Sequence, residues 1–386
     1  MNQQRSLQTI NFSEPPILVT KPHQFRRAID TLSNHTVIAV DTESNSLYAY
    51  REQVCLLQFS TPDTDLLIDP LSGIDVSPLS DLFADPGIQV VFHAAEYDVM
   101  CLKRDFGFQF NNLFDTMWAA RILGWHRVGL GNLLKRFFNV RTNKKYQRYD
   151  WGRRPIDEEA LKYARLDTHY LLPLRDLQLE RLREKGRLEE AREAFEEIAA
   201  TEPVDLSFDP DDFRSVKGSH KLNRRGEAIL RELYRWRDWE ARRQDKPHFK
   251  ILHDQALVGL ARRRPRTKKD LYSIPRVSAY HVRRYGKKLL RLVEKGREAP
   301  LPPPPPPPPP RHSDTEVDQY EALRAWRKAI AQQRGVEVSV IMTNAVLWAI
   351  VDRQPETLED LKGIEGLGSW KRETYGEDIL EVVGQA

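Results

Sequence analysis

A mixed α/β domain followed by two copies of a small all-α domain is the fold class the sequence predicts, and three observations predict it. Four β-rich apolar runs precede any sustained helical pattern, a repeat with a constant offset of 90 residues occupies the C-terminal part, and nine consecutive prolines stand between its copies. A chain of 386 residues also exceeds one ordinary core, so two or three domains are expected.

In chain order, residues 37–40, 54–59, 66–68 and 88–92 are the strand candidates, and helical patterns begin at about residue 97. Strands first and helices after them predict a mixed sheet flanked by helices. A charged pattern over 177–200 predicts one long helix that ends at Thr201-Glu-Pro203, and the polar, Asp-rich stretch to about residue 219 reads as a linker. The prolines at 302–310 can continue neither a helix nor a central strand, so they predict a polyproline II rod acting as a semi-rigid spacer, with recruitment of a proline-binding domain as the alternative use. On either side of them Leu233, Trp236, Arg237, Ala241, Ile251, Leu257, Pro265, Asp270, Leu271, Ile274, Tyr285, Gly286, Leu290 and Val293 each meet an identical residue 90 positions later without a gap. Such residues build cores and turns, so the match predicts a duplicated helical domain. The expected boundaries are 1–210 for the α/β domain, 220–298 for the first helical domain, 299–313 for the proline linker and 314–386 for the second.

The net charge of +4 conceals an asymmetry. Residues 221–300 hold 24 Lys and Arg against 9 Asp and Glu, a net of +15, whereas 314–386 hold 8 against 14, a net of −6. The first copy is therefore a candidate polyanion binder, led by Arg262, Arg263, Arg264, Lys268 and Lys269, although solvated helix faces carry similar runs. No stretch approaches the ~18 apolar residues of a membrane span, and the first residues lack the pattern of a signal peptide. Cys55 and Cys101 are the only cysteines and both lie in apolar segments, against a disulfide framework or a thiolate zinc site. A soluble, cytoplasmic protein with no membrane partner is the expectation.

Three acidic blocks carry the chemistry. In Val37-Ile-Ala-Val-Asp-Thr-Glu43 a strand's period of two puts Asp41 and Glu43 on one face, within reach of one ion. Asp98 follows the run at 88–92, at or just beyond a strand end, where ligands commonly sit in α/β folds. In Tyr163-Ala-Arg-Leu-Asp167 the i, i+4 spacing sets a phenol beside a carboxylate on one helix face. Four carboxylates in one pocket raise each other's pKa values unless cations neutralise them. Their oxygen donors suit two divalent metal ions, Mg²⁺ or Mn²⁺, better than zinc. Two such ions about 4 Å apart activate water on one side of a phosphate and stabilise the leaving oxygen on the other. Asp41, Glu43, Asp98 and Asp167 are thus the candidate metal ligands, and Tyr163 the residue that would orient the water. His93 and Gln58 read as hydrogen-bonding residues of the sheet and are not counted as catalytic. Just before the third block, Lys144, Lys145, Arg148, Trp151 and Arg154 mix cations with rings in a way that suits single-stranded nucleic acid, a loop anchored by Trp151 being the alternative.

The three blocks resemble the Exo I, II and III motifs of the DEDD 3′–5′ exonuclease superfamily. Asp41-Thr-Glu43 matches the first, Tyr97-Asp98 the second and Tyr163-x-x-x-Asp167 the third, and the tyrosine marks the DEDDy branch; the DEDDh branch has a histidine where this chain has Lys162. Asp150-Trp-Gly-Arg-Arg-Pro155, together with the stretch from Tyr163 to Tyr170, is similar to ribonuclease D, and the duplicated module resembles paired HRDC domains. That resemblance implies an RNase H-like α/β exonuclease domain followed by two HRDC-like domains. It implies metal-dependent 3′–5′ exoribonuclease activity releasing 5′-mononucleotides, on a structured RNA such as a tRNA precursor. A DNA exonuclease of the same superfamily and a silent nucleic-acid-binding scaffold are the alternatives. The turn Ile364-Glu-Gly-Leu-Gly368 resembles a phosphate-touching helical hairpin, while its acidic surroundings suit a structural turn or a contact with the protein's own basic parts equally well.

Overall fold

A computed structural model describes residues 15–305, 307 and 311–385. Six strands among these residues form one sheet: Ile17–Val19 (β1), Val37–Ser44 (β2), Val54–Ser60 (β3), Asp65–Ile68 (β4), Gln89–Phe92 (β5) and Leu113–Asp115 (β6). The order is β1-β4-β3-β2-β5-β6, with β2 antiparallel to β3 and parallel to β5, so the sheet is mixed as expected. β3 is buried along its whole length, which is why its sequence is a continuous apolar run rather than an alternating one. β1 and β6, three residues each at the two edges, are too short to show a period and went unforeseen.

Eight helices accompany the sheet: Pro22–Ser33 (α1), Leu79–Ala84 (α2), Glu96–Phe106 (α3), Thr116–Ile122 (α4), Leu130–Phe138 (α5), Glu158–His169 (α6), Leu171–Glu184 (α7) and Leu188–Ala199 (α8). The single helix expected over 177–200 is in fact α7 and α8. Gly186, at φ +63, turns the chain between them, and the Arg187 amide returns to the Leu182 carbonyl at 2.9 Å, closing the end of α7. The first helical repeat has Arg224–Gln244 (α9), His248–Ile251 (α10), Asp254–Arg263 (α11), Lys268–Leu271 (α12) and Ala279–Glu298 (α13); the second has Asp314–Arg334 (α14), Val338–Ile341 (α15), Asn344–Arg353 (α16) and Ser369–Gln385 (α17).

The repeat is structural as well as sequential. Leu233 and Leu323, Leu257 and Leu347, and Leu271 and Leu361 are all fully buried in their own cores. Arg237 donates to the Leu252 carbonyl at 3.2 Å and Arg327 to the Met342 carbonyl at 2.8 Å, the same bond in both copies.

The chain forms two compact units that cut across the expected boundaries. One comprises the sheet domain and the second repeat; the other comprises residues 45–53 and 205–309. Within the second unit, the stretch expected as a linker contributes Phe213 and Val216 to the apolar core. The proline run begins there too: Arg224 and Arg214 donate to the carbonyls of Pro302 and Pro303 at 2.6 and 2.5 Å, so its start is held rather than free. Pro306 and Pro308 to Pro310 lie outside the described residues.

In the first unit, the second repeat is joined to α8 by charge. Arg334 donates to Glu190 Oε1 at 2.9 Å, and Lys371 to Glu197 at 2.9 Å. The backbone amides of Trp370 and Lys371, at the start of α17, point to the Glu193 carboxylate at 2.5 and 3.3 Å. The turn at 364–368 therefore does contact the protein itself: Glu193 lies against Gly368, and the Lys371 ammonium donates to the Gly366 carbonyl at 3.2 Å. A Cβ at Gly368 would lie 2.3 Å from Glu193 Cδ, so a glycine is required for this approach.

Removing one member of a buried pair leaves the other uncompensated. Glu190 is 2% exposed, so Arg334→Ala is expected to lower unfolding stability by about 3 kcal/mol, measured by urea titration. A loss under about 0.5 kcal/mol would mean that the pair is solvated like a surface bridge.

Candidate active site

The site is built on the centre of the sheet. β2 pairs with β5 only from Val37 to Ala39, and beyond that point Asp41 and Glu43 continue along β3, opposite Gln58 and Leu56. The chain leaving β5 turns through Ala94, at φ +65, into α3, whose first turn carries Asp98. Asp115 holds this turn: it is fully buried and accepts from the amides of Ala95, Met117 and Trp118 at 2.6, 2.8 and 2.9 Å. Asp115 was not singled out in the sequence; an Asp at a strand end just before a helix is an N-cap signal that could have found it.

Tyr163 and Asp167 come from α6, which lies over β3 with Ala160 and Ala164 packed against Leu56, Leu67 and Trp151. A buried cluster anchors the helix. Arg165 pairs with Asp65, His169 Nδ1 lies 2.8 Å from the same carboxylate, and Ser60 Oγ contacts both Asp65 and Thr168, at 2.6 and 2.7 Å. Burial alone would push the Asp65 carboxyl up, but the hydrogen bonds from His169, Ser60 and Arg165 hold it below its ordinary value.

The four acidic residues named from sequence behave in the opposite way. The Asp41 carboxyl is pushed well up by burial and by the neighbouring charges of Asp98, Asp167 and Glu43. Glu43 is pushed up by burial, Asp167 and Asp98. Asp98 rises to about 7, mainly through burial, despite a hydrogen bond from Thr42, and Asp167 rises to about 7 through burial despite one from Tyr163. The Tyr163 phenol is pushed up by burial and by Asp167, Glu43 and Asp41, so it stays protonated. These side chains share one electrostatic neighbourhood in which burial and like charge outweigh any nearby positive charge.

Asp41, Glu43, Tyr163 and Asp167 line a cleft of about 830 Å³. Asp98 does not line it; 9% exposed, it accepts a hydrogen bond from the Thr42 hydroxyl, which does. Among the described residues no three His, Cys, Asp or Glu side chains are already gathered closely enough to hold a metal ion. The donor set nevertheless fits divalent cations: carboxylate oxygens without thiolate or paired histidine, held in a field that a cation would neutralise.

The cleft also has walls that sequence reasoning missed. Asn132, Lys135, Arg141 and Gln147 face the same space as the carboxylates, with the cations exposed. They fall in an amphipathic helix and the segment after it, where the sequence shows no motif. His93 lines the cleft as well. Its Nδ1 lies 2.9 Å from Thr116 Oγ1, whose hydrogen is given to the Phe92 carbonyl, so Nδ1 must donate; burial holds its pKa down at about 4 and the ring neutral.

Two of the expected nucleic-acid contacts are withdrawn by the structure. Trp151 is 2% exposed inside the cluster beneath α6 and has no face for a base. Arg154 spends its donors on Asp69, at 2.7 and 2.6 Å, and on the carbonyls of Cys55, Trp151 and Arg153. It fastens the loop to the sheet. Lys145 and Arg148 are exposed, the former 5.1 Å over the Tyr146 ring, while the side chain of Lys144 lies outside the described residues. In the first repeat Arg262, Lys268 and Lys269 are exposed; Arg263 donates to the Ser273 carbonyl, and Arg264 donates to Asn223 at 2.7 Å.

The family described as 3′–5′ exonuclease matches residues 16–182, and HRDC domains match 226–293 and 317–383. The catalytic core of RRP6 from Trypanosoma brucei is similar in structure, with a TM-score of 0.65 and 30% identity over 76% of this chain and 83% of that one. The chain belongs to the ribonuclease D and Rrp6 family of 3′–5′ exonucleases. Among its relatives, the exosome complex exonuclease RRP6 of Saccharomyces cerevisiae is 33% identical over 293 residues, covering 72% of this chain and 40% of that protein. A ribonuclease D from Gluconacetobacter diazotrophicus is 29% identical over 372 residues, 95% of this chain and 92% of that one. The chain thus spans less than half the length of the yeast family member and nearly all of the bacterial one.

Carboxyls raised in the fold bind protons that the unfolded chain has released, so metal-free stability is fullest below the ordinary carboxylate range and falls as pH rises towards 7. Melting in EDTA is expected to show a midpoint that drops between about pH 5 and 7.5, and saturating Mg²⁺ or Mn²⁺ to flatten that slope as cations replace protons. A metal-free midpoint that climbs across this window would mean that the carboxylates are already compensated.

Proposed function

We propose that this chain is a metal-dependent 3′–5′ exoribonuclease, removing nucleotides one at a time from RNA 3′ ends and releasing 5′-mononucleotides. The observation that carries the reading is the meeting of Asp41, Glu43, Tyr163 and Asp167 in one cleft, in a chain of this family. Its bacterial relative is named ribonuclease D and its yeast relative an exosome exonuclease, which supports RNA as the substrate.

Asp41, Glu43, Asp98 and Asp167 would hold two divalent cations, Mg²⁺ or Mn²⁺, and Asp98 would do so by giving up its bond from Thr42. When bound, the cations supply charge that activates water and stabilises the leaving oxygen. Tyr163, kept protonated, orients the attacking water by hydrogen bonding and does not serve as its base. Lys135 and Arg141 neutralise the phosphates upstream of the bond that breaks. The basic first repeat holds the body of a structured RNA, such as a tRNA precursor, while its single-stranded end occupies the cleft. No helix among the described residues is long and apolar enough to cross a membrane, and both cysteines are buried. The reading places the activity in the cytoplasm.

Digestion of a 5′-labelled tRNA with a 3′ extension, beside its DNA counterpart, tests the reading. Stepwise shortening of the RNA is expected in Mg²⁺ or Mn²⁺, and Asp41→Asn should reduce it on the order of 10³-fold. Shortening of DNA alone would move the chain to a DNA substrate, and shortening of neither would leave a binding scaffold. Lys135→Ala and Arg141→Ala should each lower the slope of log affinity against log salt by roughly 0.7 for single-stranded RNA, with unchanged slopes placing the strand elsewhere.

A further inference from the structure

Among the buried side chains described, Gln58 alone has both polar atoms, Oε1 and Nε2, without a hydrogen-bond partner, and it is 0% exposed. An amide in that state destabilises a fold relative to an apolar side chain of the same shape. Its retention therefore calls for a reason that packing does not supply.

The strand register supplies one. Gln58 on β3 is the direct antiparallel partner of Asp41 on β2. Residues opposed in this way project from the same face of the sheet, and the period of two adds Leu56 and Ser60 to the row. Both neighbours in that row are accounted for. Leu56 packs in the apolar cluster with Ala160 and Ala164 of α6, and Ser60 contacts Asp65 and Thr168 at 2.6 and 2.7 Å. Between them, on the face covered by the helix that brings Tyr163 and Asp167, stands the amide without a partner.

We propose that Gln58 is a positioning residue for the metal site, its amide reserved for Asp41 and donating from Nε2 to the carboxylate oxygen turned away from a bound divalent cation. The proposal rests on the metal-dependent reading above. An outer partner of this kind holds a ligand carboxylate in one orientation. A neutral amide suits the place better than a charged group. A carboxylate would add to the field of Asp41, Glu43 and Asp167, and an ammonium would compete with the cation.

Gln58→Met and Gln58→Leu remove the amide and keep an apolar side chain of similar size; two variants guard against one that packs badly. Three quantities are compared with the parent chain: the melting midpoint in EDTA, Mn²⁺ affinity by electron paramagnetic resonance titration, and kcat and KM on a labelled RNA oligonucleotide. In at least one variant the midpoint should be unchanged or raised, Mn²⁺ affinity weaker by about 10-fold, and kcat lower at an unchanged KM. A midpoint that falls in both variants marks a structural amide and overturns the proposal, as does Mn²⁺ affinity equal to the parent's. If the parent binds Mn²⁺ without shortening RNA, the exoribonuclease reading fails while the two affinities still decide the role of Gln58.

Discussion

Burying like charge around Asp41 is the constraint that organises the molecule. Four carboxyls are raised by loss of water and, in differing measure, by one another, and nothing in the fold compensates them fully. Left to themselves such groups would separate or draw in solvent. They are kept together because each backbone is anchored independently: β2 by ladders on both sides, α6 by the Asp65 cluster, and the β5–α3 turn by Asp115.

That arrangement divides the buried acids into two populations. Asp65, Asp69 and Asp115 each have several donors, from Arg165 and His169, from Arg154, and from backbone amides. Hydrogen bonds within the chain hold all three in place, and at Asp65 they keep the carboxyl below its ordinary value although burial still raises Asp115; their work is structural. Asp41, Glu43 and Asp167 face a cleft with little to answer them. Chemistry belongs to the second population, because only unanswered charge can be completed by something from outside.

Much of this was legible from residue order alone. Asp41 and Glu43 are two apart in a β-branched run, and Tyr163 and Asp167 four apart in a helix; both spacings dictate a shared face whatever the rest of the chain does. The duplication was visible because Leu233, Leu257, Leu271 and their partners sit in closed cores, where exchange is costly. Less local facts were hidden. Trp151 and Arg154 resembled a binding strip because composition does not say whether a ring or guanidinium faces inward, and only the positions of Asp69 and the Cys55 carbonyl decide it. Lys135 and Arg141 carry no motif, and their place in the cleft follows from tertiary packing. The break at Gly186 and the edge strands β1 and β6 lie below the length at which periodicity speaks.

Gly368 shows how a duplicated module can lose one role and take another. Its counterpart 90 positions earlier is Ser278, whose amide donates to His281 Nδ1 at 3.0 Å and so closes the helix start from within the same copy. In the second copy that local closure is replaced by Glu193 from the sheet domain, admitted by the missing side chain of Gly368. A helix start that might have faced a polyanion is thereby occupied from inside, and the two copies are no longer interchangeable parts. Transplanting the first repeat into the second position would set a serine side chain against Glu193, and deleting the second repeat would strip Glu190, Glu193 and Glu197 of their partners together. The second copy has become part of the compact unit that holds the sheet domain rather than an appendage to it.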